Sequence, residues 1–111
     1  MRYAIPVADG RMCLHFGHCQ EFVFVDVGDD GEITGVERKT PPAHAPGVIP
    51  AWVAQEGGQI IIAGGMGMRA QQLFRQYGIE VIVGAPADSP EELVLMHVAG
   101  TLKTGDNVCD H

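Results

Sequence analysis

Gln59-Ile60-Ile61-Ile62-Ala63 is apolar from its second residue onward, the pattern of a strand covered on both faces, and Glu80 to Val83 repeats it. Between these runs Met66, Ala70, Leu73, Phe74 and Tyr77 recur at helical spacing, and Gly78 stands where a left-handed C-terminal cap belongs. A strand, a helix and a second strand joined in this way form a right-handed crossover with the two strands parallel. Ser89-Pro90-Glu91-Glu92 then places a cap residue, a proline for the first helical position and a reciprocal glutamate in line, which predicts a third helix reaching about Ala99.

The first half follows a different rule. Tyr3 to Val7 and Phe22 to Val27 are short runs rich in β-branched and aromatic residues, and both read as strands. Gly28-Asp29-Asp30-Gly31 tolerates the positive φ of a tight turn, so Ile33 to Arg38, with Ile33 and Val36 as its only large apolar members, is expected to return as an edge strand. Thr40-Pro41-Pro42-Ala43-His44-Ala45-Pro46-Gly47 must be a loop, because its prolines lack amide donors and force their predecessors to be extended. Val48, Ile49, Trp52 and Val53 share a helical face, Pro50 suits a first turn, and Gly57-Gly58 ends the element. The expected fold is α/β: a single three-layer domain over residues 1–111, with a mixed five-stranded sheet flanked by helices and an extended tail at 101–111.

The 111-residue length matches one compact core. Three cysteines, an odd number, and no apolar signal region near Met1 argue against a secreted disulfide framework, so a cytoplasmic location is expected. No apolar run reaches the roughly 18 residues that a membrane span requires. The formal charge of -7 repels phosphate backbones, and the seven Lys and Arg residues are scattered, so neither nucleic acid nor membrane is an expected partner.

Potential ligands are concentrated in loops. His15-Phe16-Gly17-His18-Cys19 follows the first strand with Cys13 just before it, and the chain ends Asn107-Val108-Cys109-Asp110-His111. Thiolate and imidazole together suit zinc, copper or iron, although the spacing matches neither a zinc ribbon nor a ferredoxin run. In open α/β sheets ligands gather beyond the carboxyl ends of the strands, the edge that receives this loop and Gly64-Gly65-Met66-Gly67. The glycines leave amides open at a helix N-terminus with Arg69 in its first turn, which an anion could use, but they match neither the dinucleotide fingerprint nor the P-loop. Cys13 reads as a small buried thiol, His97 as a partly exposed or packed helical histidine and not a ligand, Met66 as core, and Trp52 as core or a cap beneath the proline-rich loop.

His15 to Cys19, Pro41 to Gly47, Ile62 to Ala70 and Asn107 to His111 together resemble the dinitrogenase iron-molybdenum cofactor biosynthesis family. The chain is most similar to small stand-alone members, among them the orange protein of sulfate reducers, which binds a mixed molybdenum-copper sulfide cluster. The resemblance implies a ribonuclease-H-like fold and nonenzymatic binding, carriage or assembly of a metal-sulfur cofactor, whether iron-sulfur, iron-molybdenum or molybdenum-copper. It places the His-Phe-Gly element on His15, Phe16 and Gly17, the glycine turn on Gly64, Gly65 and Gly67, and the terminal pair on Cys109 and His111. His18, Cys19 and His44 go beyond the minimal pattern. A thiometallate held without covalent bonds would need Arg11, Arg69 and backbone amides, whereas directly ligated metal would need thiolate and imidazole, Cys19 foremost. By analogy, a P-loop ATPase of the iron-sulfur-carrier type is an expected partner.

Two other readings compete. One is an interaction module with a structural zinc or iron. The other is a hydrolase, but two-metal chemistry requires converging carboxylates, and only Asp9 and Asp26 fall near the first two strands.

Overall fold

In the computed structural model the described residues are 1–13, 19–43, 45 and 47–105. The elements in order are β1 (Arg2–Ala8), β2 (Arg11–Met12), β3 (Glu21–Val27), β4 (Ile33–Lys39), α1 (Val48–Gln55), β5 (Ile60–Ile62), α2 (Met68–Gln76), β6 (Glu80–Ile82) and α3 (Pro90–Ala99). They form a three-layer α/β fold of the ribonuclease-H-like type.

The mixed sheet runs β4-β3-β1-β5-β6, with β2 paired separately to β1. β3 lies antiparallel to β1 and β4, while β5 and β6 continue in parallel, with Tyr3 opposite Ile60 and Ile60 opposite Glu80. The five expected strands are present, and a sixth of two residues joins them. Asp9 and Gly10, both at positive φ (54° and 80°), make the two-residue turn that folds β2 back onto β1, a geometry that Asp-Gly supplies at little strain.

Strand alternation divides the core between the two faces of the sheet. Tyr3, Ile5, Val7, Val23, Val25, Ile60 and Ile62 pack beneath Leu93 and Val94 of α3. Ala4, Phe22, Phe24, Ile61 and Ala63 point the other way, against Ile49 and Val53 of α1 and Phe74 of α2. β1 is therefore buried on both faces, as β5 is. β6 departs from the expectation of cover on both faces: it is the edge of the sheet, and its residues are exposed or half-buried.

Helix boundaries follow local chemistry. Ser89 caps α3 by accepting the amide of Glu92 at 3.4 Å, and Pro90 occupies the first turn, as the sequence predicts. α2 begins at Met68, two residues later than the apolar periodicity suggests. Met66 is fully buried but belongs to the preceding turn, where its carbonyl accepts the side-chain amide of Gln71 at 2.9 Å. Tyr77 is the C-terminal cap residue of α2 and half exposed, outside the core stripe assigned to it.

Candidate functional site

β1 exchanges neighbours along its length. It pairs with β5 at Tyr3 and Ala4, and with β2 at Val7 and Ala8. Pro6, which has no amide to donate, occupies the gap between the two pairings, and its carbonyl accepts the amide of Cys13 at 2.8 Å. This opening in the sheet lies at the carboxyl ends of β1, β5 and β6, the setting in which α/β sheets bind ligands. Four segments converge there: β2 and the residues after it, the turn after β5, the loop after β6, and the chain beyond α3.

The residues on either side of 14–18 are held to β1 by backbone bonds. Cys13 is bonded to Pro6, and the Gln20 amide donates to the Val7 carbonyl at 2.9 Å. On its outer side β2 is held by the Met12 amide, which donates to the Asp88 carbonyl at 3.0 Å. Cys13 is a buried thiol, as its sequence context suggests, and Cys19 is a half-buried thiol packed against the aromatic core beneath α1 and α2. Burial pushes the Cys19 thiol up from 9.0 to about 11, and the negative charge of a Cys13 thiolate adds to the effect.

Cys19 therefore meets a metal as a protonated thiol at neutral pH, and ligation displaces that proton. In the metal-free protein the thiolate absorbance assigned to Cys19 is expected to rise with a midpoint near pH 11 and to vanish in Cys19→Ser. A midpoint near 9 would show that the side chain is solvated. The folded state holds this proton more tightly than the unfolded chain, so the associated stability is intact below about pH 9 and falls as pH rises towards 11.

The turn after β5 contains two buried glycines, Gly64 and Gly65, and the exposed Gly67. Gly84 donates its amide to the Gly64 carbonyl at 2.8 Å, joining the loops after β5 and β6. Gly67 is the N-cap residue of α2, with φ -64° and ψ 155°, and no side chain caps this end. Among the described residues an added Cβ at Gly67 would meet nothing within 4 Å, and its φ suits any residue, so neither strain nor crowding by those residues calls for glycine here. What the glycine leaves is open backbone at a positive helix end. Arg69 in the first turn and Arg11 on β2 are both exposed and make no ion pair among the described residues. Arg2, Arg38 and Lys39, in contrast, are paired to Asp26, Glu37, Glu21 and Glu56.

Of the sequence-predicted site residues, Cys19, Gly64, Gly65, Gly67 and Arg69 fall at this edge, while His15, Phe16, Gly17, His18, His44, Cys109 and His111 lie outside the described residues. Among the described residues no three His, Cys, Asp or Glu side chains group as metal ligands. His97 is packed elsewhere, its Nδ1 2.7 Å from the Tyr3 hydroxyl and its Nε2 3.9 Å from Glu80. Trp52 caps the aromatic layer, edge-on to Phe22 and Phe24 at 5.3 and 5.6 Å, and with Pro42 lines a shallow uncharged groove of about 500 Å³. Asp9 and Asp26 sit at opposite ends of β1, since Asp26 pairs with Arg2 and Asp9 follows Ala8. At roughly 3.3 Å per residue they are some 20 Å apart. Two features escaped the sequence reading: the β1–β2 hairpin, which Asp9-Gly10 signals, and the Gly84 contact described below.

Comparison with known proteins agrees with this architecture. An uncharacterized protein of Methanocaldococcus jannaschii is 32% identical over 108 residues, spanning 93% of this chain and 90% of that protein. The crystal structure of PH0822 is 31% identical and covers 95% of this chain and 96% of its own, with a TM-score of 0.85. The apo orange protein of Desulfovibrio gigas shares the fold at a TM-score of 0.73, covering 96% of this chain and 93% of its own at 22% identity. The model of the dinitrogenase iron-molybdenum cofactor family matches residues 1–100, and the chain belongs to that family.

Proposed function

We propose that this protein binds and carries an anionic metal-sulfur cluster, without catalysing a reaction, at the carboxyl edge of β1, β5 and β6. The observation that carries the reading is the α2 N-terminus: exposed, without a side-chain cap, led by a glycine whose φ any residue could adopt, and carrying in its first turn Arg69, which makes no ion pair among the described residues of a protein of net charge -7. Open amides and guanidinium groups stabilise sulfide-rich anions such as thiomolybdates, and the Cys19 thiol on the same edge supplies one soft ligand once deprotonated. Membership of a family named for the iron-molybdenum cofactor supports the cargo class. Under this reading His15, His18, His44, Cys109 and His111 are the remaining candidate ligands, and the recipient or loading partner includes an ATPase of the iron-sulfur-carrier type.

Two observations support carriage over the alternatives. The separation of Asp9 from Asp26 leaves these carboxylates unable to share a metal pair. Each face of the sheet is covered by its own apolar cluster of described residues, which favours a fold held by its core over one stapled by metal.

The test is anaerobic uptake of tetrathiomolybdate with cuprous ion, compared with zinc alone. Arg69→Glu is expected to weaken thiometallate uptake by about tenfold or more while leaving zinc binding unchanged, because it reverses one charge beside the helix end. Gly67→Ala is expected to change stability by less than about 1 kcal/mol, as a cap substitution without strain, and yet to weaken the same uptake. Equal loss of zinc and thiometallate in Arg69→Glu would contradict an anionic cargo.

A further inference from the structure

The chain beyond α3 does not leave the fold at the helix end. Gly100 closes α3 at φ 75°, the Thr101 hydroxyl donates to the Met96 carbonyl, and Leu102 packs against the α3-side core. Three residues later the Gly105 amide donates to the Gly84 carbonyl at 2.7 Å, while the Gly84 amide donates to Gly64 at 2.8 Å. Gly64, Gly84 and Gly105 thus form one hydrogen-bonded series across the turn after β5, the loop after β6 and the last described residue.

Gly84 is the element of this series that tolerates no change. Its φ is +79°, and a Cβ built on it would stand 2.1 Å from the Gly105 oxygen and 2.8 Å from its carbonyl carbon. Real Cβ atoms do not approach backbone so closely, so any side chain at 84 must displace the strap formed by residues 101–105. Gly105 is the opposite case: its φ is not positive, and among the described residues an added Cβ would have only the Gly84 oxygen within reach, at 3.9 Å. The requirement is one-sided.

We infer that Gly84 and Gly105 form a latch that holds the C-terminal strap on the cluster edge and slows release of the bound cargo. The inference rests on the proposed carriage function and assigns positioning roles to two residues that neither touch the cargo nor supply a ligand. The strap reaches the same edge as the α2 N-terminus because Gly84 bonds both to the turn after β5 and to Gly105.

The latch is tested with three variants and two readouts. Gly84→Ala should abolish protection of the Gly105 amide in hydrogen exchange and speed loss of the copper-thiomolybdate cluster about tenfold, the effect of one lost hydrogen bond plus left-handed strain. Gly105→Ala should retain both protection and slow release. Gly78→Ala shares the strain, with φ 75° and no described residue within 4 Å, but not the overlap, and should leave release unchanged. Should Gly84→Ala fail to fold, Gly105→Pro removes the same donor while leaving Gly84 intact and should give the fast release. Unaltered release in Gly84→Ala with the Gly105 amide unprotected, or unaltered release in Gly105→Pro, would overturn the latch while leaving carriage standing. Wild-type protein that takes up no cluster yet protects Gly105 would overturn carriage instead.

Discussion

Truncating Phe24 to alanine is expected to destabilise the protein by about 3–5 kcal/mol, the range for removing a buried phenylalanine from a core that relaxes only in part. Phe24 is fully buried at the middle of β3 and stacks at 6.5 Å on Phe22. Trp52 meets it edge-on, and the Arg2 guanidinium lies 4.7 Å over its ring. That guanidinium also pairs with Asp26 at 2.8 Å and Glu37 at 2.6 Å, while its Nε is buried without a partner among the described residues. Removing the ring withdraws the cation–π contact from a group already partly desolvated, so the loss should fall in the upper part of the range. Urea unfolding at fixed m-value measures it directly. A loss below about 1 kcal/mol would show that the aromatic layer repacks around the hole.

Cys19→Ser is expected to leave the fold intact and to remove the bound cluster. A hydroxyl of nearly the same size fits the half-buried position but does not replace a thiolate towards soft metal. The effect should exceed the roughly 10–100-fold that follows loss of an outer-shell partner. Anaerobic uptake by wild type and variant, at matched melting temperature, reads it. Affinity in the wild type should rise with pH across the neutral range, because binding displaces the proton that burial holds on Cys19. Undiminished uptake in Cys19→Ser would move the ligand role to another residue.

Most of the architecture was readable from residue patterns because the patterns report burial directly. Ile60-Ile61-Ile62 is apolar on both sides because the strand is covered on both sides. Ser89-Pro90 and Gly78 marked helix ends through backbone chemistry that acts locally. The misses share a cause, which is that tertiary contacts override local periodicity. Met66 fits a helical stripe, yet it is buried in the turn before α2, where Gln71 holds its carbonyl. Glu80 to Val83 resembles an interior strand, but sheet order decides that β6 is the edge. Arg11–Met12 is too short to show as a strand, and only the Asp9-Gly10 turn betrays it.

The site was readable in kind more than in arrangement. Sequence placed Cys19, Arg69 and the glycine turn at one sheet edge, since a loop after a parallel strand must emerge there. It gave no sign that Gly84 faces Gly105, because that contact joins residues 21 apart through an approach only the folded chain creates. Nor did it show that Gly67 is free of steric demand from the described residues.

The most direct measurement of the central claim is anaerobic purification of the protein, followed by elemental and sulfide analysis with a visible spectrum, for wild type beside Cys19→Ser. Carriage of a metal-sulfur cluster predicts molybdenum, copper or iron together with acid-labile sulfide and visible charge-transfer bands in the wild type, all lost or sharply reduced in Cys19→Ser. Stoichiometric zinc without colour, or colourless protein that takes up neither ferrous iron with sulfide nor thiomolybdate with copper, would contradict it.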